Sequence, residues 1–319
     1  MNGSEAGRRE TRNGNRASRR DSGGSSFPAF RFPLPGSPMS RLLVAFERAR
    51  DEKRAAFIAY LTAGDPDADA TVALAAALDR AGADVLELGV PFSDPIADGP
   101  VLQRSAGRAL SAGTTLTGVF EIARRIASNT RMALVLFSYL NPLVRLGIGR
   151  ASRQARDAGF DAALVTDLPP EEAGQFQPVV RSAGLDTIFL VSPTSSGWRM
   201  NAAARLSSGF LYVVSRPGTT GAHRDLPPDL AETVRRARRA ARSLPIAVGF
   251  GIASPGTARR AARLADGVIV GSALVRAAEE AGEARETAVE ALARSLREAC
   301  RRGKRSRVES RASRQARGT

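Results

Sequence analysis

Short apolar runs alternate with longer segments of helical period through the middle of the chain. Eight such runs are apolar enough for buried strands, and they are Ala56–Leu61, Val85–Gly89, Ala133–Phe137, Ala162–Val165, Thr187–Val191, Phe210–Val214, Ile246–Gly249 and Gly267–Val270. Strands that alternate with amphipathic segments are typical of a domain built on a parallel sheet. The pattern therefore predicts an α/β fold with eight strands.

Helices are predicted in the segments between these runs. Their predicted ranges are Pro66–Ala81, Leu116–Ser128, Arg150–Ala158, Glu171–Ser182, Gly197–Leu206, Pro228–Ser243, Pro255–Leu264 and Glu279–Arg302. Asp65-Pro66 and Ser254-Pro255 each place a capping oxygen before a proline, which fits a helix start. Three glycines, Gly82, Gly159 and Gly184, are expected to end the helices before them.

Eight βα units over about 250 residues predict a (β/α)8 TIM barrel. An amphipathic pattern at Ser40–Phe46 adds a short N-terminal helix. An open doubly wound sheet is the alternative, but its dinucleotide-binding motif is missing. Gly249-Phe250-Gly251 follows the seventh strand rather than the first, and Ser254 stands where the third glycine belongs.

The positive charge of the chain is concentrated at its two ends. The formal net charge is +15, yet residues 1–38 hold seven arginines against three acids, and residues 301–319 hold eight basic residues against one acid. Both ends are poor in large apolar side chains, so we expect disordered tails flanking a barrel at 39–300. Met39 is a candidate alternative start, so that residues 1–38 need not be translated. A nucleic-acid role would have to depend on these tails.

Several other classes of protein are disfavoured by the composition. The apolar runs are far shorter than the roughly 20 residues of a membrane helix. A lone Cys300 and a lone His223 leave neither an internal disulfide nor a Cys/His metal site. We expect a cytoplasmic protein that binds no metal.

One carboxyl group interrupts the second predicted strand. A strand covered on both faces is nearly all apolar, but Asp84-Val85-Leu86-Glu87-Leu88-Gly89 carries Glu87 at its centre. Alternation places Glu87 with Val85 and Gly89, toward the barrel mouth, where desolvation raises a carboxyl pKa toward values useful for proton transfer. The alternative is an exposed or salt-bridged glutamate.

The segment after this strand holds two more acids. Pro91–Pro100 is too rich in proline for a strand or helix and is predicted to be a loop over the barrel mouth. Asp94 and Asp98 can both serve as turn formers there, and for Asp94 that interpretation is preferred.

Glycine-containing segments follow each of the last three strands. They are Pro217–Gly221, Gly249–Ile252 and Gly271–Ala273. Glycines let backbone N–H groups approach an anion, and a helix that begins at Gly271-Ser272 would direct its dipole at that anion. Barrels often bind phosphate after strands seven and eight, so the sequence predicts a phosphorylated substrate.

Four aromatic residues lie near the ends of predicted strands. Tyr212 on the sixth strand shares a face with Val214 and is either a core residue or part of a site. Tyr60, Phe137 and Tyr139 either line an aromatic pocket or pack in the core.

Several motifs, in their order along the chain, resemble the tryptophan synthase alpha chain family. The longest is Leu86-Glu87-Leu88-Gly89-Val90-Pro91-Phe92-Ser93-Asp94-Pro95, which continues into Ala97-Asp98-Gly99-Pro100. Similar blocks are Tyr60–Pro66, Tyr139–Pro142, Thr166–Pro169, Gly218–Gly221 and Gly249–Ile252. The resemblance extends from about Met39 to Cys300.

This resemblance implies cleavage of indole-3-glycerol phosphate to indole and glyceraldehyde 3-phosphate. Glu87 would then be the acid and base at indole C3 and the glycerol hydroxyl, and Asp98 would accept from the indole N–H. Tyr212 corresponds to an active-site tyrosine. The implied phosphate positions are Gly221, Gly251, Gly271 and Ser272, and the implied indole pocket is Tyr60, Phe137, Tyr139 and Thr220. Tyr60 departs from the phenylalanine of many members.

The resemblance also implies a partner. It is a beta chain that holds pyridoxal phosphate, contacts the Pro91–Asp98 loop and forms an alpha2-beta2 tetramer, while this chain itself binds no cofactor. Three alternatives stay open: another phosphate-binding barrel, a basic nucleic-acid-binding protein that uses the tails, and a free-standing lyase that releases indole.

Overall fold

A closed barrel of eight parallel strands forms the centre of the protein in the computed structural model, which describes residues 40–215 and 225–302. Each strand pairs with its neighbours in chain order, and the eighth closes on the first. The strands are β1 (Ala56–Thr62), β2 (Val85–Gly89), β3 (Ala133–Ser138), β4 (Ala162–Val165), β5 (Asp186–Val191), β6 (Leu211–Val214), β7 (Ile246–Gly249) and β8 (Gly267–Val270). The predicted TIM barrel is confirmed, and the open sheet is excluded.

Twelve α-helices accompany these strands within the described ranges. They are α1 (Arg41–Asp51), α2 (Ala68–Arg80), α3 (Pro100–Ser111), α4 (Leu116–Asn129), α5 (Leu140–Leu146), α6 (Ile148–Asp157), α7 (Phe176–Ser182), α8 (Gly197–Leu206), α9 (Leu230–Ala241), α10 (Pro255–Leu264), α11 (Ser272–Ala281) and α12 (Arg285–Ala299). The predicted stops are confirmed, because Gly82, Gly159 and Gly184 all have positive φ.

The predicted helix start at Asp65-Pro66 is wrong. The carboxylate of Asp65 is occupied by the side chains of Ser105 and Arg108. Helix α2 begins two residues later, where the Asp67 side chain accepts a hydrogen bond from the backbone N–H of Ala70 at 2.8 Å. The Asp65 side chain, which the local sequence predicts as the helix cap, is therefore engaged in a tertiary contact instead.

Two other helices predicted after the strands depart further from the observed bounds than the rest of that set, which differ by at most two residues at either end. Helix α7 begins at Phe176 rather than at Glu171, which places Pro178 in the first turn, where a missing N–H costs no hydrogen bond. The single closing helix predicted from Glu279 is two helices, because Gly282 has a φ of 54° and ends α11 before α12 begins. Helices α3 and α5 were not predicted.

The first helix covers the barrel at the amino ends of its strands. Phe46 packs against Phe210 with ring centroids 5.5 Å apart, and a Cβ on Gly209 would lie 2.6 Å from Leu42. The predicted N-terminal helix is thus confirmed, and its apolar face fills the floor of the barrel. Arg41 and Arg48 pair with Asp161 and Asp84 and hold the helix in place.

Side chains before the even-numbered strands link the strands at this floor. The carboxylates of Asp84, Asp161 and Asp266 accept from the N–H groups of Phe57 in β1, Leu134 in β3 and Ile246 in β7, at 2.8, 2.9 and 3.1 Å. Before β6, the hydroxyl of Ser208 accepts from Thr187 in β5 in the same way, at 3.1 Å. We call these four side chains the floor acceptors, and three of them also pair directly with arginine.

Predictions about the tails fall largely outside the described residues. Arg302, at the end of the second described range, donates to the carbonyl oxygens of Ala262 and Ala265. Among the described helices, none is both long and apolar enough to span a bilayer.

Candidate active site

A cavity opens at the carboxyl ends of the strands, and most of the predicted site residues line it. Those that do so are Tyr60, Glu87, Asp98, Phe137, Tyr212, Gly251, Gly271 and Ser272. Six further residues complete the wall: Leu102, Phe250, Ile252, Ala253, Ile269 and Ala273. Residues that are far apart in sequence therefore meet where active sites of this fold are found.

Glu87 enters the cavity because strand alternation turns it inward. Leu86 and Leu88 pack outward among the helices, whereas Val85 belongs to the cluster inside the barrel. Glu87 is 1% exposed, and its Oε1 has no hydrogen-bond partner among the described residues. Burial raises the pKa of Glu87 to about 8, so this carboxyl holds a proton at neutral pH.

Asp98 reaches the cavity from the loop between β2 and α3. Burial raises its pKa to about 6, while a hydrogen bond from Tyr139 opposes that rise. The Tyr139 hydroxyl donates to Asp98 Oδ2 at 3.1 Å and accepts from the N–H of Ala97 at 3.0 Å. The site therefore pairs a protonated carboxyl with one that is mostly ionised at neutral pH.

Tyr139 supports Asp98 and is not part of the cavity wall. Its ring stacks on Phe92 with centroids 5.1 Å apart, which ties the loop to the end of β3. Asp94 lies on the same loop, is exposed, and accepts from the hydroxyl of Ser93. The two aspartates of the loop thus occupy different environments.

Two tyrosines of the site, Tyr60 and Tyr212, each pack over a glycine of the next strand. Tyr60 is opposite Glu87 in the β1–β2 register, and a Cβ on Gly89 would lie 2.1 Å from its hydroxyl. Tyr212 has the same relation to Gly249, also at 2.1 Å. Only glycine leaves room for either ring, and both hydroxyls are directed toward the mouth.

Aromatic rings form much of the remaining wall. Tyr60 and Phe137 meet edge to face with centroids 5.1 Å apart, and Tyr212 meets Phe250 in the same manner at 6.0 Å. Such walls suit a flat aromatic ligand. Phe250 is among the residues that sequence analysis missed, and its positive φ of 69° gives no signal in the sequence. Ile269 does have a signal, since alternation along β8 turns it inward.

Backbone N–H groups converge on the other side of the cavity. Helix α11 begins at Ser272 after Gly271, and no side chain among the described residues caps it. By contrast, Ser254 caps α10 through a capping box. Gly251 has a φ of 75°, and a Cβ on Gly271 would lie 3.3 Å from Tyr60 Cβ. An uncapped helix start beside glycines favours an anion. Thr220 and Gly221 fall outside the described residues.

Buried carboxyl groups, aromatic side chains and an uncapped helix start meet at this mouth. Within the described ranges no group of His, Cys, Asp or Glu is placed to hold a metal ion. By its fold and by the buried carboxyl groups at its mouth, the protein belongs to the enzymes built on a (β/α)8 barrel.

Comparison with known proteins narrows this class to one family. The sequence model of the family described as tryptophan synthase alpha chain matches residues 46–303. A tryptophan synthase alpha chain from Solibacter usitatus is 48% identical over 261 residues, covering 81% of this chain and 97% of the relative. One from Geobacter sulfurreducens is 45% identical over 238 residues, covering 75% and 90%.

Solved structures lead to the same family. A chain of Mycobacterium tuberculosis tryptophan synthase superposes with a TM-score of 0.77 at 37% identity, covering 83% of this chain and all of the other. The alpha chain from Legionella pneumophila gives a TM-score of 0.75, also at 37% identity, with 82% and 98% covered. This chain belongs to the tryptophan synthase alpha chain family. Its reaction is the carbon–carbon lyase reaction of that family, which cleaves indole-3-glycerol phosphate.

Proposed function

We propose that Glu87 and Asp98 carry the cleavage of indole-3-glycerol phosphate in separate roles. The observation that supports this most is the burial of Glu87, whose Oε1 has no partner among the described residues and whose side chain lines the cavity. A proton donor with a pKa near the working pH is what general acid catalysis requires.

In this mechanism one carboxyl group moves two protons in turn. Glu87 donates its proton to C3 of the indole ring, which creates a cationic ring that withdraws electrons from the neighbouring carbon–carbon bond. The resulting Glu87 carboxylate then takes the proton of the glycerol hydroxyl as that carbon becomes an aldehyde. The bonding electrons return to the ring and restore indole, so Glu87 ends the cycle protonated.

Asp98 acts on the opposite edge of the ring. Its carboxylate accepts from the indole N–H and stabilises the positive charge that develops when C3 is protonated. A pKa of about 6 keeps most of this group ionised at neutral pH. Tyr60 and Phe137 enclose the ring, and Tyr139 fixes the carboxylate of Asp98. Thr220, outside the described residues, is proposed as a further member of the indole pocket.

The phosphate of the substrate is assigned to the uncapped start of α11. Gly251, Gly271 and Ser272 supply N–H groups there, and Gly221 is proposed as a further member from outside the described ranges. Tyr212 lies between the two ends of the substrate, where its hydroxyl faces the cavity. All these groups belong to the polypeptide, so we propose that this chain uses no cofactor.

We further propose that the Pro91–Asp98 loop contacts a tryptophan synthase beta chain in an alpha2-beta2 tetramer. Ile96 on this loop is 79% exposed, more than any other large apolar side chain in the described part of the chain. Pyridoxal phosphate would belong to that beta chain. A phosphorylated substrate of a biosynthetic reaction places the complex in the cytoplasm.

The direct test measures release of indole from indole-3-glycerol phosphate, first by the purified chain and then with a beta chain added. Glu87→Gln and Asp98→Asn are each expected to lower kcat by about 10²-fold or more while the protein stays folded. Glu121→Gln, an exposed glutamate on α4, is the matched control and should retain full activity. Near-full activity in either site variant would refute the assigned roles. Full activity without a beta chain would favour a free-standing lyase.

A further inference from the structure

Helices α3 and α11 both begin at the cavity, and each carries one end of the proposed substrate site. Asp98 lies just before α3, and the side chain of Gln103 donates to the Asp98 carbonyl at 2.9 Å. Ser272 begins α11. The two helices also meet at their inner faces, where Leu102 and Val275 belong to the same buried cluster. Any relative shift of the helices therefore changes the distance between the two ends of the site.

Two arginines of α3, Arg104 and Arg108, contact Glu279 of α11 away from the cavity, and of the two only Arg108 also contacts Asp65. Arg108, near the end of α3, donates from Nε and Nη2 to both carboxylate oxygens of Asp65, at 2.7 and 2.8 Å. Its Nη1 donates to Glu279 of α11 at 2.7 Å. Asp65 lies in the loop after β1, so a single guanidinium connects α3, α11 and the barrel wall. We call these three side chains the Arg108 bridge.

The geometry of the Arg108 bridge is suited to holding α3 and α11 at a fixed distance from each other. A planar guanidinium that grips one carboxylate with two nitrogens leaves little rotational freedom, which a lysine could not reproduce. Asp65 is 11% exposed, so water screens this contact only partly. Glu279 is seven residues beyond Ser272, or about 10 Å along a helix, so a displacement at the bridge is transmitted to the anion end.

We infer that Arg108 is a positioning residue that sets the spacing between the indole end and the phosphate end of the site. The inference rests on the proposed function, because it takes Asp98 and Ser272 as those two ends. A ligand that contacts both ends binds more tightly when their spacing is correct, whereas the affinity of a ligand that contacts only one end does not depend on that spacing. The two kinds of ligand should therefore respond differently when the bridge is broken.

The test compares three probes on the folded full-length chain: indole, inorganic phosphate and 3-(indol-3-yl)propyl phosphate, which joins both groups. In Arg108→Gln the linked probe should bind about tenfold more weakly, as expected for a misplaced ligand, and the single groups should bind within about twofold of wild type. Glu279→Gln breaks the bridge from the other helix and should give the same pattern.

Arg104→Gln is the matched control. Arg104 is on the same helix and also contacts Glu279, but it is 53% exposed and does not contact Asp65. It should leave the affinity of all three probes unchanged. The inference is overturned if Arg108→Gln weakens phosphate alone as strongly as the linked probe, or if it weakens neither. If the wild-type chain binds the linked probe no better than phosphate, the proposed assignment of the two ends fails, and the inference fails with it.

Discussion

The hydroxyl of Tyr139 donates to the carboxylate of Asp98 across 3.1 Å, from the end of β3 to the loop after β2. The same hydroxyl accepts from the N–H of Ala97, so its proton is directed at the carboxylate. This contact lowers the pKa of Asp98 against the effect of burial. Asp98 therefore stays ionised at lower pH than its burial alone would allow.

The pH profile of the reaction should report both carboxyl groups. Activity needs Asp98 ionised and Glu87 protonated, so kcat/KM is expected to rise with pH near 6 and to fall near 8. Tyr139→Phe removes the hydrogen bond, raises the pKa of Asp98 and moves the rising limb to higher pH. The falling limb should stay in place. A profile in Tyr139→Phe identical to that of wild type would contradict this role.

Glu87 should make the free energy of unfolding depend on pH in a predictable direction. The folded pKa of about 8 lies above that of an exposed glutamate, so the unfolded chain binds fewer protons than the folded chain between about pH 4.5 and 8. Stability is therefore present below this window and is lost as pH rises through it. Glu87→Gln should be more stable than wild type by a few kcal/mol at pH 8, but not at pH 4, by urea denaturation.

Replacing Gly89 should damage the site through a clash. Its Cβ would lie 2.1 Å from the Tyr60 hydroxyl and 2.6 Å from the adjoining ring carbon, so the ring must move into the cavity. We expect Gly89→Ala to lose on the order of 1–3 kcal/mol of stability and most of its activity. Gly174→Ala, where nothing lies within 4 Å of the new methyl, is the control. Equal melting temperatures of the two variants would contradict this prediction.

Asp84 should be the most costly of the floor acceptors to remove. It pairs with Arg54, whose side chain is 2% exposed, and it accepts from the N–H of Phe57 at 2.8 Å. Asp84→Ala leaves the N–H of Phe57 without its acceptor and leaves the buried Arg54 with only the partly exposed Glu52 as an ionic partner, which costs about 3–5 kcal/mol. Asp225→Ala, on an exposed pair, should cost less than about 1 kcal/mol. Denaturant midpoints of the two variants check the difference.

The exposed side chain of Ile96 provides a test of the partner surface. Ile96→Asp should weaken binding of a beta chain by about tenfold or more, because it introduces a charge that must be desolvated in the contact. The basal indole release of the isolated chain should not change, since Ile96 does not line the cavity. Titration calorimetry with a beta chain measures the affinity, and unchanged binding would argue against this loop as the contact.

Much of the barrel could be predicted from the sequence because each strand is short, apolar and bounded by turns. Four of the eight strands have the predicted bounds, and the others differ by one residue at one end. What could not be predicted depends on tertiary contacts. Asp65 is a good helix cap by sequence, but its bond to Arg108 became visible only when the fold brought α3 beside β1.

The candidate site also contains residues that could be predicted from the sequence and residues that could not. Glu87 could be predicted because a charged residue is unusual in an apolar strand. The glycines of the anion site could be predicted because glycine-containing segments follow three neighbouring strands. Leu102 could not, because it lies on α3, whose Ser105 and Gly107 weaken the helical pattern. The position of Tyr139 behind Asp98 depends on the path of the β2–α3 loop, which local sequence does not specify.

The floor acceptors stabilise the barrel at the amino ends of its strands, whereas the candidate active site lies at the carboxyl ends. Because a floor acceptor links β1 to β2, β3 to β4, β5 to β6 and β7 to β8, side chains reinforce the backbone pairing of the barrel far from the reacting atoms. Substitutions at the mouth that introduce no clash can then alter turnover or substrate preference while these contacts at the floor stay intact. Evolution is left free to retune the chemistry of this enzyme while its architecture persists.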